Sequence, residues 1–189
     1  MKKIILSIAL LSCVSFVNGQ FLEDISYGFR LGLNYSTLSG DNIEDVDDRI
    51  GMHVNFFADI PISDRFSLQP EIGISSLGVN EEELRLENGD IVQFKTNWLQ
   101  VGVLGNINIT KQLFALVGPQ VGVNITERDN NDYYNYDVAG VIGIGYMFNE
   151  NLGIDARYGY GFSNIFDREF AEIEEANNRW FQLGVSYKM

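Results

Sequence analysis

The feature that most constrains this chain is an alternation of apolar and polar residues with a period of two, repeated eight times. In the segment Tyr27–Ser36, residues Tyr27, Phe29, Leu31, Leu33 and Tyr35 fall on one side, and Gly28, Arg30, Gly32, Asn34 and Ser36 on the other. Successive side chains of an extended chain point to opposite faces, so this is a strand with one apolar and one polar side. The pattern returns in Ile50–Asp59, Phe66–Ser75, Leu99–Ile109, Val117–Ile125, Val138–Phe148, Leu152–Ser163 and Arg179–Met189. Strands of roughly ten residues have the length that a tilted membrane-crossing strand requires.

The connections alternate in length. Ile62–Arg65, Thr110–Gln112 and Asn149–Asn151 are short enough for hairpin turns, whereas the other four connections are long. This predicts an all-β fold, an eight-stranded antiparallel up-and-down transmembrane β-barrel. Its short periplasmic turns lie at one end with both termini, and its long acidic extracellular loops lie at the other. A barrel of eight strands is filled by its own side chains, so a wide diffusion pore is excluded.

The N-terminus supplies the address. Lys2 and Lys3 precede an uncharged apolar run from Ile4 to Val17, followed by Gly19. Residues 1–19 therefore read as a secretory signal and 20–189 as the barrel domain. The run of 14 residues is short of the ~20 that a spanning helix needs. Cys13 offers a lipidation site as a rival reading, but apolar residues continue beyond it. Residues 20–189 hold no cysteine, so no disulfide staples the exported chain, and its length makes one unnecessary.

Charge separates the ends of the molecule. Segments 41–49, 81–90, 127–137 and 167–175 hold 19 of the 26 acidic groups against four arginines, a net of −15. The rest of the barrel domain balances, with seven acids and seven bases. No clustered basic surface exists for phosphate backbones, so nucleic acid is excluded as a partner. The loops are expected to meet lipid head groups, divalent cations or an extracellular partner. Asp41–Asp48 and Asp129–Asp137 gather several oxygens, the ligands Ca²⁺ takes, but neither has the EF-hand spacing, so solvated loops are the preferred reading.

The polar face is mostly Gly, Asn, Ser and Gln, which suits a confined lumen. A soluble lipocalin-like barrel would carry Lys and Glu along each strand, and would need the Tyr27/Phe29/Leu31 face turned inward onto a small apolar ligand. The ionisable residues of the polar face are Arg30, His53, Asp59, Glu71, Asp155 and Arg157. Their charges are of opposite sign and are expected to pair across the barrel, since an unpaired buried charge is costly. His53, the only histidine, is expected to bond a neighbouring carboxylate. The alternative is an outer-membrane lipid-modifying enzyme pairing His53 with a serine at the outer rim. A single histidine provides no zinc-ligand spacing, and the glycines precede no helix of the kind that would cradle a phosphate. No cofactor is expected. Tyr133, Tyr134, Tyr136, Trp98 and Trp180 are expected to form interfacial belts.

Five segments together bear a family likeness: Gly32–Ser36, Ala58–Glu71, Gly118–Gly122, Asp155–Gly161 and Phe181–Tyr187. Across nearly all of the exported chain they resemble the PorT-like outer-membrane β-barrel domain family of Bacteroidota envelopes. The resemblance implies a signal-directed, integral outer-membrane barrel and carries over no catalytic residue. The expected molecule is a monomeric outer-membrane protein with a structural or surface-interaction role. Such barrels usually end in an aromatic residue, whereas this chain ends Tyr187-Lys188-Met189.

Overall fold

Each alternating segment forms a strand, and pairing of the first with the last leaves no sheet edge open. The computed structural model describes residues 25–40, 48–78, 84–85, 91–92, 95–126, 136–163 and 176–189. Its strands are β1 (Ser26–Gly40), β2 (Arg49–Ser63), β3 (Phe66–Gly78), β4 (Leu84–Arg85), β5 (Ile91–Val92), β6 (Lys95–Asn108), β7 (Leu113–Asn124), β8 (Tyr136–Met147), β9 (Leu152–Gly161) and β10 (Ala176–Lys188). Eight of them close a barrel in the order β1-β10-β9-β8-β7-β6-β3-β2, and every neighbouring pair is antiparallel. The pair β4-β5 is a small hairpin within the connection from β3 to β6. Sequence periodicity missed it because two residues a side carry no period.

The apolar face points outward. Leu33, Val54 and Ile142 are each more than half exposed, whereas Arg30, Asn34 and His53 are buried in the lumen. This is the inverse of a soluble protein and the arrangement that lipid requires. A lipocalin-like barrel would need the opposite orientation.

The lumen is divided by strand. Inward positions of β1, β2, β3, β9 and β10 are largely polar or charged, while Leu104 of β6, Phe114 and Leu116 of β7, and Ala139 and Val141 of β8 form an apolar cluster with Leu77, Trp98 and Trp180. Trp98 and Trp180 are each 2% exposed, which corrects the belt assignment for both. They face inward because they share the parity of Gln100 and Gln182 on their own strands. Trp180 is seated on Gly159, where a Cβ would come within 2.1 Å of the indole, so a glycine is needed there. Tyr136 does face outward, and Tyr133 and Tyr134 lie outside the described residues. So do residues 41–47 and 129–135 of the acidic clusters Asp41–Asp48 and Asp129–Asp137, and the loop segments 86–90 and 167–175; Asp137 itself is buried in the lumen, where it accepts from Asn178 Nδ2 at 3.2 Å, which corrects its assignment to a solvated loop.

One seam departs from the regular ladder. The β2–β3 register runs outward as far as His53↔Ser75, and beyond that point side chains take over the bonding. Asn34 Nδ2 donates to Met52 O and to Ser76 O, each at 3.1 Å. Ser36 Oγ donates to Gly78 O at 2.8 Å, and Arg49 Nη1 donates to Leu77 O at 2.5 Å. Two residues of β1 thus reach past β2 to hold the outer end of β3.

Candidate functional site

The charged residues of the lumen sit on strands that bring them to one level. Asp155 and Arg157 are alternate residues of β9, and both point inward by the period of two. Arg157 Nε donates to Asp155 Oδ1 at 2.8 Å, and Arg157 Nη1 donates to Glu71 Oε2 at 2.8 Å and Oε1 at 3.0 Å. From β1, Arg30 Nε donates to both oxygens of Asp155 at 2.8 Å, and Arg30 Nη1 donates to Gln182 Oε1 at 3.0 Å. Asp155 therefore bridges two guanidinium groups, and the two arginines balance the two carboxylates. Space for Arg30 comes from Gly184, where a Cβ would lie 2.5 Å from its Nε.

His53 extends the network toward the seam. Its Nε2 lies 2.6 Å from Arg30 Nη1 and its Nδ1 2.7 Å from Asn34 Oδ1. An arginine can only donate, so Nε2 accepts; Asn34 Oδ1 can only accept, so Nδ1 carries the proton. The imidazole is neutral, with both nitrogens occupied. Its partners are a guanidinium and an amide, which corrects the expectation of a carboxylate partner. Neither ring nitrogen bonds a serine, so His53 is not placed as the base of a serine nucleophile.

Five of the six residues singled out by sequence, Arg30, His53, Glu71, Asp155 and Arg157, are joined in one chain of bonds. Asp59 is apart from it: nearer the turn end, it accepts from Lys188 Nζ and Ser67 Oγ. Lys188 was not in the set, although its even parity on β10 turns it inward with Gln182 and Ser186. A cavity of about 40 Å³ at that end is lined by Gln69, Asn106, Asp155, Arg157, Lys188 and others. That is room for a few waters. Outward of the ion pairs, Leu77, Trp98 and Trp180 fill the lumen. Among the described residues no group of three or more His, Cys, Asp or Glu side chains could hold a metal ion.

Closed, filled and apolar on the outside, the barrel has the architecture of small outer-membrane proteins, and residues 18–167 match the protein family described as outer membrane protein beta-barrel domain. The chain belongs to this family of outer-membrane barrels. Among solved structures, the Yersinia pestis attachment invasion locus protein Ail is similar at 14% identity and a TM-score of 0.51, over 87% of this chain and 99% of Ail. Neisserial surface protein A is similar at 10% identity and a TM-score of 0.55, over 86% of this chain and 97% of that one. At these identities the likeness is one of fold. No curated protein matches the chain in sequence. As a member of this family the protein is an integral outer-membrane barrel, and its filled lumen makes it no wide diffusion pore.

Proposed function

We propose that this barrel is a non-catalytic, monomeric mount of the PorT-like kind, which holds four acidic loops at the cell surface and meets divalent cations or an extracellular partner there. The observation that carries this reading is the crossing of the lumen by the Arg157–Glu71 bridge, which leaves the chemistry of the molecule at its outer end. Residues 1–19 serve as the export signal and 20–189 as the barrel domain, a reading supported by the basic start and apolar run. The five segments quoted above support the PorT-like likeness. The both-sides-occupied imidazole of His53 argues against the lipid-modifying alternative.

The test replaces the acids of 41–48, 81–90, 127–135 and 167–175 by their amides and compares Ca²⁺ binding of the variant and the natural protein by calorimetry. The reading expects binding that is lost in a variant still folded, as judged by faster migration on an unboiled detergent gel. Equal binding by the two proteins, or none by the natural one, would remove the cation from the role.

A further inference from the structure

Among the described side chains of the eight barrel strands, Arg179 is the one charged group on the lipid-facing side; Asp48, the residue before β2, lies on the same side with its carboxylate accepting from Tyr35 Oη. The position of Arg179 in the rows of that surface is informative. Tyr35, Phe181 and Tyr158 pair across β1, β10 and β9 to give an aromatic row, and the next row toward the outer end is Thr37, Arg179 and Tyr160. Aromatic rows of this kind mark the edge of the apolar band, so Arg179 stands just above it, at the level of the head groups.

The guanidinium is held in place but incompletely bonded. Its central carbon lies 5.2 Å from the Tyr160 ring centroid. That ring is itself fixed, by Asn177 Nδ2 donating to Tyr160 Oη at 3.2 Å and by an edge-on contact with Phe162 at 5.5 Å. Arg179 Nε is shielded from solvent and has no acceptor among the described residues. The ion pairs among the described residues use Arg30, Arg157 and Lys188, and none of them involves Arg179. One face of the guanidinium is thus stacked and its Nε is a covered donor without an acceptor, which leaves the Nη groups as the edge that an anion would meet. A fork of parallel N–H groups is matched best by carboxylate or phosphate.

We propose that Arg179 is the anchor of a binding site for the phosphate of an outer-leaflet lipid. The source of the phosphate follows from charge: the acidic loops carry a net of −15 at the outer end and repel soluble anions, whereas a phosphate fixed to a lipid approaches from the side, beneath them. Tyr35, Phe181 and Tyr158 offer the apolar wall against which the acyl chains of the same lipid lie. The site rests on the placement of the barrel in the outer membrane and is independent of what the loops bind.

The test is native mass spectrometry of the purified full chain in non-ionic detergent, with diphosphorylated lipid A and its dephosphorylated counterpart as probes. The site predicts retention of the phosphorylated lipid about tenfold or more above the dephosphorylated one, the scale of a charge-assisted contact. R179Q is expected to bring the two lipids level, and R179K to restore part of the difference. Millimolar inorganic phosphate should displace neither. Equal retention of the two lipids by the natural protein, an undiminished preference in R179Q, or displacement by inorganic phosphate would each overturn the proposal. An unboiled gel verifies that R179Q is folded; if it is not, the lipid discrimination and phosphate competition of the natural protein decide the matter.

Discussion

Arg157 of β9 donates to Glu71 of β3 at 2.8 Å, and these two strands are four places apart whichever way the closed sheet is counted. The bridge is a diameter of the barrel. Breaking one partner of such a pair leaves a buried charge unbalanced, whereas removing both leaves Arg30 and Asp155 as a neutral pair. R157M alone is expected to destabilise the barrel by about 3–5 kcal/mol, and the double variant R157M/E71L by much less. Urea unfolding in lipid vesicles measures both; a double variant as unstable as the sum of the singles would show that the pair is not coupled.

His53 serves the same network from the other side. H53A removes the acceptor of Arg30 Nη1 and the donor to Asn34 Oδ1, a loss of about 1–3 kcal/mol. H53Q is expected to recover most of it, because an amide both accepts and donates. If His53 is structural, lipid A and phospholipid profiles of cells expressing either variant match those of the natural protein; an altered profile would reinstate the enzyme.

The contact of Trp180 with Gly159 has no slack. G159A is expected to destabilise by about 1–3 kcal/mol through overpacking. At Gly102 a Cβ meets its nearest neighbour at 3.4 Å, an ordinary contact, so G102A should be close to neutral. Comparison of the two thermal transitions from folded to unfolded gel mobility checks this.

At the outer end of the β2–β3 seam, side chains substitute for the ladder, and Asn34 is the central one. N34D keeps the size but has no amide donor for Met52 O and Ser76 O. Hydrogen exchange is expected to quicken in residues 50–53 and 76–78 of this variant and to stay unchanged in β7 and β8. Uniform exchange across the barrel would mean that the seam is no weaker than the regular pairs.

The eight barrel strands and the turns between them were legible because a period of two recurs in all of them, with an apolar side throughout and a polar side in most. The contents of the lumen were less so. Leu104, Leu116 and Val141 face inward beside outward-facing Val103, Val117 and Ile142; such adjacent apolar pairs interrupt the alternation and were the available sign of an apolar sector. Trp98 and Trp180 follow the parity of their strands into the lumen and not the interfacial preference of their residue type. Of the polar residues, Arg30, Glu71, Asp155 and Arg157 meet because their strands and levels coincide, while Asp59 and Lys188 pair nearer the turns, two strands apart. The role of Asn34 was not legible, since it depends on β3 leaving the register of β2, which no local pattern encodes.

The most direct test of the account is the conductance of the purified, folded protein in a planar lipid bilayer. A lumen crossed by Arg157 and Glu71 and filled outward of them by Leu77, Trp98 and Trp180 predicts no porin-sized steps, with faster migration on an unboiled gel verifying the fold of the same sample. Steady, large conductance from that folded sample would contradict the account, because the lumen would then have to be open to water along its whole length.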